Sequence, residues 1–313
     1  MKRILAVPVM NPPTGTNRKF AHAPSPYRGM AYMLACGFAF AAMNAIIRYM
    51  SADLHPLEIA FFRSLFGLLA FAPAFIRHGI EPLRTGRPAM HLLRGSLNVV
   101  SMTLFFTAIS LVPLAKVAAL GFSAPLFATV LAVVLLGEAI HARRIIALIV
   151  GFTGTMIILR PGYGGMDLGA VLVLISSLGY ATGLIVIKSL TRTESSTTIS
   201  IYAMLFTTPA TFLLALSVWQ APTWSQLAWM AAIGGIGSLA HLAFAEAVKA
   251  VDITVVMPID FTKLIWSAII GYLAFAEVPD VWTWVGGTVI FSAVIYIAYR
   301  EKHARAGGDA YEP

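Results

Sequence analysis

The chain has 313 residues, 58% of them hydrophobic and only 12% charged, with a mean hydropathy of +0.81. That composition excludes a soluble globular domain and places the chain among multispan membrane proteins. The formal charge of +8 raises the question of a nucleic-acid partner, and the distribution of the charges answers it below.

Residues 1–28 are polar, Pro-rich and basic, and read as a cytoplasmic tail. The apolar stretch Ile4–Met10 is short and interrupted by Pro8, which argues against a signal peptide. A spanning helix needs about 20 mostly apolar residues. Such stretches follow at 29–50, 57–76, 91–111, 115–136, 143–160, 168–190, 198–219, 225–248, 253–276 and 281–299, before a second polar tail at 302–313. The connections are short and leave no room for a soluble domain. Function is therefore expected inside the bundle.

With the N-terminus placed in the cytoplasm, 17 of the 22 Lys and Arg fall on the inner side, among them Arg77, Arg84, Arg87 and Arg94 around the second loop. Arg48, Lys116 and Arg160 fall outside, and Arg63 and Lys263 lie within spans. This is the positive-inside bias, and it orients both termini inward. The basic charge then reports topology, with no nucleic-acid partner expected.

The ten spans divide into two copies. Residues 93–160 lie over 232–299 without a gap at an offset of 139, so that Gly95 meets Gly234, Phe105 meets Phe244, Phe122 meets Phe261 and Glu138 meets Glu277. The start of each half aligns at an offset of 140: Gly29 meets Gly169, Ala41 meets Ala181, Arg48 meets Lys188 and Phe66 meets Phe206. Five spans per copy predict that the second is inserted upside down. Inverted repeats are how many secondary transporters build two access states around one site.

Ionisable residues inside a bilayer are costly, and they usually face a partner or a wet cavity. Asp260 and Lys263 in span nine are three residues apart, on one helical face and near the midplane. They read either as an internal salt bridge that holds helices together or as a substrate or proton site. Spans eight and nine form a tight hairpin turning near Lys249–Asp252, which sets His241 at the depth of Asp260. His241 is thus a candidate proton relay or a hydrogen-bonded packing residue. Glu246 and Lys249 suit a peripheral ion pair. Glu58 and Arg63 suit structural roles, with Arg63 snorkelling toward the outer surface. Asn44, Asn98, Ser123 and Tyr180 are neutral polar groups in spans one, three, four and six, each alone compatible with interhelical glue and together suggesting a polar cavity. Pro125 and Pro258 break the ladders of spans four and nine beside Ser123 and Asp260.

Cys36 is the single cysteine, which excludes an intrachain disulfide and a Cys-based metal cluster. There is no Walker A pattern, HExxH motif or GxSxG elbow, so neither ATP hydrolysis nor a metal or other cofactor is expected.

The stretch ALGFSAPLFATVLAVVLLGEAIHARRIIALIVGFTGTMIILRPG, at 119–162, resembles the EamA-type domain of the drug/metabolite transporter superfamily. PIDFTKLIWSAIIGYLAFAEVPDVWTWVGGTVIFSAVIYIAYRE, at 258–301, resembles its second copy, and FFRSLFG at 61–67 also fits. Ala276 departs from the family pattern, which has Gly before the Glu. The resemblance implies an all-α membrane fold of ten helices in two inverted repeats, here 29–161 and 162–301. It also implies carriage of a small metabolite by alternating access, the riboflavin, S-adenosylmethionine and amino-acid carriers being examples. The expectation is a bacterial inner-membrane carrier, monomer or homodimer, with Asn44, Asn98, Ser123, Tyr180, Asp260 and Lys263 on the substrate and His241 and Asp260 on a coupled proton. The alternative is a membrane-embedded enzyme acting on a lipid or prenyl substrate. Short loops and deep ionisable groups speak against that alternative.

Overall fold

The computed structural model describes residues 26–69, 85–136, 142–160, 167–250 and 259–306. The described residues are helical, with no strand among them. In chain order they form α1 (Pro26–Met50), α2 (Pro56–Leu69), α3 (Pro88–Leu111), α4 (Leu114–Gly121), α5 (Ser123–Leu136), α6 (Ala142–Leu159), α7 (Leu168–Leu190), α8 (Ser196–Ala215), α9 (Trp224–Ala250), α10 (Thr262–Phe275) and α11 (Val281–Ala306). Seven segments are long and apolar enough to cross a membrane, α4 and α5 together making one of them. Ile145–Leu159 and Thr262–Phe275 are shorter apolar helices. The second expected span is described only as far as Leu69, and the first turns of the ninth lie outside the described residues.

In a bilayer, backbone groups and hydroxyls must be satisfied within the protein. Ser and Thr do this by donating one turn back along their own helices: Ser64 to Ala60 O (2.8 Å), Thr103 to Val99 O (2.8 Å) and Thr211 to Thr207 O (2.7 Å). Helix starts are marked by Pro56 and Pro88, whose fixed φ suits a first turn. Asp167 and Ser195 cap the starts of α7 and α8, accepting the amide hydrogens of Gly169 and Thr198.

Span four is broken between α4 and α5 at Phe122. Pro125 explains the position, because its ring collides with the carbonyl four residues back, that of Gly121. Span nine shows a turn at Phe261, just before α10. Phe122 and Phe261 are counterparts in the repeat, and α5 and α10 coincide residue for residue at the offset of 139. The prolines do not match: Pro125 faces Leu264 across the repeat, and Pro258 faces Ala119. The break is thus shared although the prolines are not.

Packing between the halves repeats in the same way. The two most extensive pairings are α1 with α9 and α3 with α7, which exchange when the halves are swapped. So do α1 with α10 and α5 with α7, and likewise α3 with α8 and α2 with α9. Two glycines show the exchange in atomic detail. A Cβ on Gly95 would stand 2.5 Å from Phe206 Cβ, and one on Gly234 would stand 2.9 Å from Phe66 Cβ. Each half offers a Phe to a glycine socket in the other, and both members of each contact are repeat counterparts. At the shared helix end, Glu277 accepts from the Leu114 N–H at 2.8 Å and pairs with Arg48 at 3.3 Å, tying α4 and α1 to the corner after α10. Its counterpart Glu138 lies outside the described residues.

Candidate functional site

Asp260 and Lys263 do not lie on one unbroken helix, as their spacing alone suggests. The turn at Phe261 falls between them, and the pair closes across it. Lys263 Nζ stands 2.8 Å from Asp260 Oδ1, with the two side chains 25% and 15% exposed. The ammonium also sits 5.5 Å from the centre of the Phe40 ring and 5.7 Å from that of Phe122, within cation–π range. Phe122 stacks on Phe261 at 5.8 Å, so the two breaks meet through their own aromatic residues. Gly37 lets α1 approach: a Cβ there would lie 3.2 Å from Thr262 Oγ1 and 3.5 Å from Lys263 N. Cys36, one residue earlier, is fully buried.

His241 meets the edge of the Phe40 ring at 5.2 Å. Phe40 therefore has His241 and Lys263 as neighbours, and it is Phe40, rather than Asp260, that His241 packs against. The charges of Arg63 on α2, Arg94 on α3 and Lys263 on α10 all act on His241. His241 is nevertheless exposed. Gly237, one turn before His241 on α9, lies against Met43 and Arg63, so this face of α9 turns toward α1 and α2 and the exposure of His241 is toward the bundle interior. Tyr180 on α7 is 50% exposed and interacts electrostatically with both Arg94 and Lys263. Asp260, Lys263, Tyr180 and His241 are thus brought together.

The other three expected residues are placed differently. Asn98 donates its amide to Thr207 Oγ1 at 3.0 Å and links α3 to α8. Asn44 is buried on α1 with its Oδ1 unpaired, and Ser123 is fully buried at the span-four break with its Oγ unpaired. Glu58 does not pair with Arg63; it is fully buried and accepts the Gln220 N–H at 3.2 Å.

Two residues of the site were not anticipated. Arg63 does not snorkel to the surface: its Nη1 lies 3.2 Å from Met102 Sδ, and its Nη2 lies alongside Gly237. Arg94, counted by position among the basic residues of the second loop, stands nearly two turns inside α3 and lies across Gly183 of α7. The signal for Arg94 was its place inside the apolar stretch 91–111, which the side-counting of charges overrode.

The sequence profile of the EamA-like transporter family matches the chain twice, over residues 27–160 and 167–299. An S-adenosylmethionine uptake transporter of Rickettsia bellii is 32% identical over 276 residues, covering 88% of this chain and 95% of that protein. A riboflavin transporter of Vibrio cholerae serotype O1 is 33% identical over 282 residues, covering 88% and 94%. A solved crystal structure superposes with a TM-score of 0.60 at 15% identity, covering 88% of this chain and 99% of the other, which shows a shared fold. The doubled profile, the exchanging helix contacts and a charged site within apolar helices agree: the chain belongs to the EamA-like transporter family, and it is a membrane transporter rather than an enzyme.

Proposed function

We propose that the protein is a secondary carrier that moves a small metabolite across the bacterial inner membrane by alternating access. Ten spans in two inverted halves, 29–161 and 162–301, would place both termini in the cytoplasm, in line with the positive-inside bias. The names of the relatives point to an S-adenosylmethionine- or riboflavin-like substrate, with amino-acid-like metabolites also in range. The substrate would bind between Tyr180, Phe40 and the Asp260–Lys263 pair, with Asn44, Asn98 and Ser123 supplying hydrogen bonds as the helices rearrange. His241 would carry the linked proton together with Asp260.

The observation that carries this reading is the Asp260–Lys263 pair, set between two aromatic rings at a helix break beside an exposed His241. A second reading follows from the same pair. At 2.8 Å it is complete in itself and suits a helix latch that never touches substrate.

Reconstitution into proteoliposomes tests the proposal. Labelled S-adenosylmethionine, riboflavin and a panel of amino acids should include at least one compound that exchanges across the membrane and is driven by an imposed pH gradient. His241→Gln keeps a hydrogen-bonding side chain but does not titrate. It should flatten the flux profile between about pH 5.5 and 8, where an ordinary His changes charge. An unchanged profile would remove His241 from the proton path. Reporter fusions at the two termini check orientation, and a periplasmic signal at either end would sink the inverted arrangement.

A further inference from the structure

The charges around the internal space do not balance. Lys263 has Asp260 as its counter-ion. Arg63 and Arg94 have no carboxylate within salt-bridge distance among the described residues. Among the described residues the side-chain acceptor of Arg63 is a thioether sulfur, a weak one. Arg94 Nε is buried and unpaired. A guanidinium does not lose its proton in a protein, so neither residue can escape its charge as a buried Lys would. Two permanent cations thus lie within apolar helices, on α2 and α3, and both act on the same exposed His241. Holding them there unpaired is costly, and residues retained at such a cost usually meet a ligand.

The surroundings fit an anion. Arg63 lies beside Gly237 of α9 and Arg94 beside Gly183 of α7, each with its guanidinium 3.9 Å from where the glycine Cβ would be. Neither glycine carries a side chain that would fill the space beside the forked guanidinium. The fork matches two oxygens of a carboxylate or phosphate. Tyr180 stands one turn before Gly183 on α7, and its hydroxyl is a further donor on that side of the helix. In the repeat, Arg63 and Arg94 correspond to Ala203 and Ile233, so the positive charge is confined to one side of the pseudosymmetric bundle.

We propose that Arg63 and Arg94 form an anion subsite in the internal space, which binds a carboxylate or phosphate group of the transported molecule. The proposal rests on the carrier reading above and narrows its substrate to a compound bearing an anionic oxygen group.

The test compares matched pairs on the purified full-length protein in detergent, by ligand-induced shift of the melting temperature. One pair is S-adenosylmethionine and its carboxyl methyl ester; the other is riboflavin 5′-phosphate and riboflavin. At least one acid should bind, and its partner without the anionic group should bind roughly ten- to a hundredfold more weakly, the range for loss of a charge-assisted contact. Whether the carboxylate or the phosphate pair responds distinguishes the source of the anion. Arg63→Gln and Arg94→Gln should each erase the difference within the responding pair, and Arg94→Lys should restore part of it. Without ligand, Arg94→Gln should melt at the same or a higher temperature, because it removes an unpaired charge. Equal binding within both pairs, no binding by any of the four compounds, or a large drop in melting for ligand-free Arg94→Gln would overturn the subsite. Flux of any of these compounds in proteoliposomes upholds the carrier irrespective of that result, so the two failures are separable.

Discussion

At the centre of the bundle the two halves share a backbone and differ in chemistry. α5 and α10 begin one residue after the counterpart breaks at Phe122 and Phe261 and run to the same length. Where the second half has Asp260 and Lys263, the first has Gly121 and Ala124. Tyr180 answers Phe40, and His241 answers Met102. The glycine–Phe contacts across the halves are duplicated, while Arg63, Arg94, His241, Asp260 and Lys263 occur once. Duplicated shape serves a bundle whose halves move against each other, and single-copy charge makes one site rather than two.

The largest effect should come from the single-copy charges. Lys263→Ala should abolish flux, because it removes the cation at the second break and leaves Asp260 buried without a partner. Loss of a buried partner costs about 3–5 kcal/mol, so folding must be checked by melting. Asp260→Asn combined with Lys263→Met removes both charges. If that double variant regains both stability and flux, the pair is a latch and the comparison loses its functional half.

The duplicated sockets give the next effect, and they should differ in degree only. Gly95→Ala and Gly234→Ala both force a methyl against a Phe Cβ, at 2.5 and 2.9 Å. Overpacking of this kind costs about 1–3 kcal/mol. Both variants should melt lower, Gly95→Ala more so. Indifference of either site in a detergent melting assay would show that the sockets are not equivalent.

A smaller effect of opposite sign is expected at the corner after α10. Ala276 adopts φ 54° and ψ 28°, the left-handed conformation that suits glycine, and Gly137 stands at its counterpart position. This shape lets the Glu277 N–H return to Gly271 O at 3.0 Å. Ala276→Gly should relieve about 1 kcal/mol of strain and raise the melting temperature slightly. A lowered melting temperature would contradict that account.

The smallest effect concerns Asp280, which stands ahead of α11 where the first half has His141. Partial burial raises its pKa, but the hydroxyl and amide of Thr283, with Arg160 and Lys116, outweigh it and hold the carboxyl below its ordinary value. A depressed pKa contributes stability that is present above the unfolded-state value, near 4, and is lost as the pH falls through the folded-state value. The Arg160–Asp280 pair is 2.8 Å apart and about two-fifths exposed on each side, so solvent screens it. Asp280→Asn should cost less than about 1 kcal/mol at neutral pH, and the cost should shrink as acid protonates the carboxyl. Melting followed from pH 7 to 3 checks the sign, and a cost that grows on acidification would refute it.

The repeat was legible because matched hydropathy survives where identity does not, and both family matches cover it. The break at Phe122 was legible from Pro125. In span nine Pro258 signalled a break, while the turn among the described residues stands at Phe261, three residues on. Asp260 and Lys263 stood out as charges in an apolar run. Arg94 did not, since a positive charge near a helix end is the ordinary topological signal, and depth alone does not say which way a long side chain turns. The hydroxyl on α8 that holds Asn98 was not legible, being a partner 109 residues away in sequence.

The crossed sockets bear on how a carrier spends its time. A protein that alternates between two openings needs them within a few kcal/mol of each other, or one state traps the population. When Phe66 in Gly234 and Phe206 in Gly95 are images of one another, exchanging the roles of the halves leaves that part of the interface energy nearly unchanged. Residues with no image, among them Arg63, Arg94, His241, Asp260 and Lys263, would then shift the balance point. The same side chains that would recognise the cargo would thus also bias which way the empty protein rests.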